Sequence, residues 1–90
     1  MQGEMTARLD AALKKLESKR EQVRLYENEV LPLYRQAFEA QLGEYRNSRL
    51  NINSLIETMR TILNKEEALA EVKMEYEMTL ADIYMMAGIR

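Results

Sequence analysis

A single interruption in an otherwise continuous helical register limits what this chain can fold into. Positions 2, 5, 9, 12, 16, 19, 23, 26, 30, 33, 37, 40 and 44 follow a heptad of alternating threes and fours. Most are apolar: Met5, Leu9, Ala12, Leu16, Val23, Tyr26, Val30, Leu33, Ala37 and Ala40. The register stops at Arg46, Asn47, Ser48, Arg49, Leu50 and Asn51. A second stripe begins at Ile52 and runs through Leu55, Met59, Ile62, Leu69, Val72, Tyr76, Leu80, Ile83 and Ala87. Such spacing lines one side of a helix with apolar groups. Two helices of similar length around a short polar turn fold back on each other. The expected fold is therefore all-α, a single long antiparallel two-helix coiled-coil hairpin. Its helices cover about residues 5–47 and 52–87, with the tip at 46–51. At ~1.5 Å per residue each arm is on the order of 50–65 Å long.

A hairpin of this size buries a thin seam and no true core, so a further surface is expected to complete it. Self-association into a four-helix bundle, or a place in a larger assembly, would supply one. Thirteen basic and fifteen acidic residues give a net charge of −2. They are interspersed, unlike the one-sided basic footprint of a nucleic-acid binder. Cysteine and histidine are absent, which removes disulfides, thiolate ligands and the commonest general base. The carboxylates lie along solvent-facing helices with no pocket to shift their proton affinities, so no enzyme is expected. The seven methionines could offer soft thioether ligands to a metal. Met74 and Met78 flank the Tyr76 and Leu80 stripe, so packing is the expectation and no cofactor is implied. No apolar run is long enough to cross a bilayer, and the N-terminus lacks the layout of a secretory signal.

Along the first helix, which starts near Gly3 or Thr6, Lys14, Lys15, Lys19 and Arg20 alternate with Glu17 and Glu21 as on a solvated face. Lys19 falls on the stripe itself. Its stem is expected to lie in the groove with the ammonium in water. Pro32 lacks a backbone donor and crowds the preceding turn, which predicts a kink near residues 28–31. The stripe continues in phase on both sides, so one kinked helix is expected. Beyond Pro32, Leu31, Tyr34, Phe38 and Tyr45 form a second stripe offset by one residue. A face this wide implies contact with more than one neighbour. Asn51 or Asn53 suits the N-cap of the second helix, and Gly88 suits a left-handed C-cap.

The turn carries the most distinctive chemistry, two guanidiniums (Arg46 and Arg49) beside the Asn47 amide and the Ser48 hydroxyl. Glu57 and Arg60 follow at a spacing of three, where an intrahelical ion pair is expected.

From Val30 to Gly88 the sequence resembles the C-terminal repeat of TolC-like outer-membrane efflux proteins. Leu31 and Pro32 lead into an alanine-spaced helix with Ala37, Phe38 and Ala40. Tyr45, Arg46, Asn47 and Ser48 match that family's Tyr-x-x-Gly tip, with Ser48 in place of the glycine. Leu55, Ile56, Glu57, Thr58, Met59 and Arg60 stand where relatives carry a Leu-Leu-Asp-Ala-Gln-Arg-like run. Thr58 and Met59 replace its small residue and glutamine. Tyr76, Leu80, Ala81, Ala87 and Gly88 fit the returning helix.

The resemblance implies a structural part of a trimeric channel, with this segment in the periplasm and the parent protein in the outer membrane. It makes the chain a fragment of that channel, in which such hairpins form a helical tunnel wall. Tyr45, Arg46, Asn47, Ser48, Arg49 and Leu50 become the tip that docks a periplasmic adaptor, which links the channel to an inner-membrane pump. Glu57 and Arg60 become residues of the channel entrance. The cargo class, drugs or heavy-metal ions, stays open. Another reading of the residues is a small self-associating helical-hairpin interaction protein, either a secretion-system substrate or subunit or a coiled-coil adaptor. A secretion substrate would carry a Trp-x-Gly turn and a needle subunit a proline-containing turn; Asn47, Ser48, Arg49 and Leu50 show neither. A self-contained coiled coil would keep Lys19, Glu66 and Lys73 off its stripes.

Overall fold

The computed structural model describes residues 2–47 and 51–88. The first arm comprises α1 (Gln2–Leu25), a π-helical segment (Tyr26–Val30) and α2 (Leu31–Arg46), without a break between them. The second arm is one helix, α3 (Ile52–Ala87). The molecule is an all-α antiparallel hairpin measuring 67 × 18 × 17 Å, as the two heptad stripes require. Its ends are set locally. Asn51 is extended (ψ 159°) and its Oδ1 accepts the Ser54 N–H at 3.0 Å, which satisfies one of the free donors at the start of α3. Gly88 closes α3 at φ 72°, where a Cβ would be strained.

Between the arms runs a narrow seam. Leu31, Leu55, Leu69, Val72, Thr79 and Ile83 are its buried residues. On α3 the inward positions are 55, 58, 62, 65, 69, 72, 76, 79, 83 and 86, an unbroken heptad of threes and fours. This corrects the expected stripe in three places. Thr58, Thr79 and Met86 point inward where Met59, Leu80 and Ala87 were expected; Met59 and Ala87 are exposed, as is Ile52. Register outranks apolarity here because a threonine can be buried cheaply. The Thr79 hydroxyl donates to the Glu75 carbonyl at 2.8 Å, and that of Thr58 to the Ser54 carbonyl at 3.2 Å.

The π segment changes the register of the first arm. The Leu31 N–H donates to the carbonyl of Tyr26, five residues back instead of four. In a regular α-helix the Pro32 ring would press on the carbonyl of Asn28 and leave it without a donor, at a cost of about 3 kcal/mol or more. The wider π turn accommodates the ring by inserting one residue. An extra residue turns everything beyond it by about 100°. The seam therefore runs through Leu9, Ala12, Leu16, Lys19, Val23, Tyr26 and Val30, then moves to Leu31, Tyr34, Phe38 and Gln41. The expectation of a stripe in phase across Pro32 is overturned. Leu33 is 65% exposed, and Ala37 and Ala40 are exposed with it, whereas Leu31 is only 3% exposed.

Two ion pairs join the arms among the described residues. Lys19 Nζ lies 2.7 Å from Glu75 Oε2, and Lys73 Nζ lies 3.0 Å from Glu27 Oε2. Lys19 keeps its stem in the groove as expected. Its ammonium meets a carboxylate of the opposite arm, a partner that spacing along one helix does not reveal.

Candidate functional site

Of the six tip residues, the structure describes three. Tyr45 and Arg46 finish α2 and are exposed. The exposed Asn47 follows in a bridge conformation (φ −91°, ψ 10°), its N–H shared between the carbonyls of Gly43 and Glu44 at 3.2 Å each. That shared bond closes the last turn of α2. Ser48, Arg49 and Leu50, also assigned to the tip, lie outside the described residues.

Glu57 and Arg60 sit in the second and third turns of α3, both exposed. The expected ion pair between them does not form; the Glu57 carbonyl accepts the Thr61 hydroxyl at 3.1 Å, while its carboxylate is free to face solvent. The fork with bidentate geometry is elsewhere. Arg24 donates through Nε and Nη2 to the Glu21 carboxylate, with Nη2 at 2.7 Å, and reaches Glu29 at 3.4 Å. The guanidinium bonds hold the Glu21 carboxyl below the ordinary carboxylate range, and the same pair raises Arg24. Both residues lie on solvent-exposed α1, beside the π segment.

Among the described residues no group of three or more His, Cys, Asp or Glu could hold a metal ion, and no helix is long and apolar enough to cross a membrane. Met74, Met78 and Met85 project from the outer face of α3 and not into the seam; Met85 is 79% exposed. Packing within the hairpin therefore does not explain them.

The largest chemical feature is a pair of apolar flanks near the tip. On α3, Ile52, Ile56, Met59 and Leu63 are exposed at spacings of four, three and four. They form a stripe beside the seam, and Met59 and Leu63 border a shallow groove with Phe38, Ile62 and Glu66. On α2, Leu33, Ala37 and Ala40 form another stripe beside the seam. Heptad geometry places these two stripes on opposite sides of the plane of the hairpin. In an antiparallel pair each side of the seam is bordered by equivalent positions of both helices, and these stripes occupy non-equivalent ones. The sequence showed that the apolar face was wide. It did not show which residues were released, because that depends on the inserted residue.

No protein-family model matches the chain, and neither a curated protein nor a solved structure matches it. The class the structure defines is a helical hairpin with two lateral apolar flanks, whose α2 ends in the exposed Arg46 and Asn47.

Proposed function

We propose that this hairpin is a wall element of a trimeric outer-membrane efflux channel of the TolC-like class. In this reading its two flanks pack against neighbouring helices to build a periplasmic tunnel. Tyr45, Arg46 and Asn47, with Ser48, Arg49 and Leu50, dock the hairpin of a periplasmic adaptor, and through it an inner-membrane pump. Glu57 and Arg60 stand just inside the entrance. The chain supplies walls and docking, not chemistry.

The placement of the flanks carries this reading. A contact that joins one flank to a different flank on the next unit is head-to-tail, and such contacts close into rings when the rotation allows. A simple two-fold dimer would need one self-complementary patch instead. The resemblance from Val30 to Gly88 supports the same assignment and gives the tip its partner.

Binding to an adaptor hairpin tests the docking half of the proposal. Arg46→Glu together with Arg49→Glu should leave helicity intact and abolish binding, since the guanidiniums become carboxylates at the contact. Binding unchanged by the double reversal would reduce the tip to a connecting turn.

A further inference from the structure

We propose that Pro32 is the catch of a register switch in the first arm, holding the tip half in one of two helical registers that the sequence encodes. The inference is independent of the efflux reading, because it concerns the hairpin alone.

Two stripes compete for the seam beyond Val30. The occupied one is Leu31, Tyr34, Phe38 and Gln41; the released one is Leu33, Ala37 and Ala40, in phase with α1. The extra residue that selects between them can travel in one direction only. Moved toward the N-terminus, it would turn Arg24 and Glu27 into the seam and break the Glu27–Lys73 pair. Moved toward the tip, it would bring in only Leu33, Ala37 and Ala40 before meeting Glu44. Gly43, which has open space around its Cα, stands where the extra residue would be absorbed. Pro32 opposes that movement, because an α-helical turn over 28–32 cannot accommodate its ring.

Gln41 supplies an independent sign of the second register. Its Oε1 is buried and finds no hydrogen-bond donor, a defect in an otherwise satisfied seam. Turning the tip half by one residue would carry Gln41 to solvent and satisfy that atom. The same turn would bury Leu33 and present Tyr34 and Phe38 on the flank. The switch thus exchanges a flank of small residues for an aromatic one without unfolding either arm.

Thiol labelling reads the register directly, since the chain has no cysteine of its own. In the full chain, single Ala40→Cys and Gln41→Cys variants report the released and occupied stripes. With Pro32 present, the thiol at 40 should react about tenfold faster than the thiol at 41. Adding Pro32→Ala should bring the two rates together or invert them while helicity is kept. Deleting Asn28 removes the extra residue and fixes the occupied stripe, so Pro32→Ala in that background should leave the labelling ratio unchanged. An unchanged ratio after Pro32→Ala alone overturns the proposal. So does a loss of helicity in that variant, or an equal response in the Asn28 deletion, because either would make Pro32 a general support of the helix.

Discussion

At the scale of residues, polar groups in the seam show how register overrides composition. Lys19, Lys65, Thr58, Thr79 and Gln41 all point inward or along the groove, and each is tolerated only as far as its polar atoms find partners. Threonine hydroxyls return to the helix carbonyl four residues back. Lys19 crosses to Glu75. Gln41 is the exception, and its orphaned Oε1 predicts that Gln41→Leu stabilises the hairpin. A gain of about 1 kcal/mol would raise the thermal midpoint by roughly 4–8 °C in a domain this small, measurable by circular dichroism. The Glu21–Arg24 fork makes a prediction in pH. Because its folded proton affinity is lowered, Glu21 contributes stability above its ordinary range and loses it as pH falls through the lowered folded value. Carboxyl NMR should find Glu21 titrating below the ordinary carboxylate range, and Arg24→Ala should move it back up. Lys19 in the groove was legible from its place on the stripe. Its partner was not, since a partner across the seam depends on the pairing of the two arms.

Among elements, the helix limits were the most legible feature. Polar residues after Arg46, an asparagine before Ile52 and a glycine after Ala87 mark ends that follow from backbone hydrogen bonding. The choice between Asn51 and Asn53 resolves to Asn51, whose side chain reaches Ser54 N–H. Asn51→Ala should cost about 1 kcal/mol in chemical denaturation, with little change in the denaturant dependence. A larger loss would mean that the tip is braced by more than the cap. The π segment was only half legible. Pro32 announced a disturbance, but apolar periodicity favoured the in-phase stripe through Leu33, Ala37 and Ala40, which the structure leaves exposed. The Pro32 ring decides, because an α-helical turn over 28–32 cannot accommodate it and the wider π turn can. Tyr34 and Phe38 are then half-buried between the arms. In α3, counting apolar residues selected Met59 and Leu80, while an unbroken heptad selects Thr58 and Thr79.

As a whole molecule, the hairpin exposes more surface than a compact fold of its mass. Its accessible surface is 7184 Å², whereas a compact monomer of 10.6 kDa exposes about 5,500 Å². The excess, roughly 1,700 Å², is about what one chain buries across two standard protein–protein interfaces, at about 800 Å² per partner. No described side chain is completely buried. In the proposed channel wall, lateral partners would cover this surface, and the non-equivalent flanks on α2 and α3 favour head-to-tail neighbours over a two-fold dimer. The thinness of the seam was legible in length and stripe width. The position of the α2 flank was not, because the inserted residue between Tyr26 and Val30 places it, and that of the α3 flank follows from the heptad that turns Thr58 inward. Leu33 and Leu63 are exposed on the α2 and α3 flanks, which makes them natural reporters. Cysteine cross-linking of the protein carrying Leu33→Cys with Leu63→Cys measures the central claim most directly. The account predicts a ladder of products ending at the trimer from the double variant, and no ladder from either single variant. Products that stop at a dimer, or that form equally well from one cysteine alone, would contradict a ring of head-to-tail hairpins.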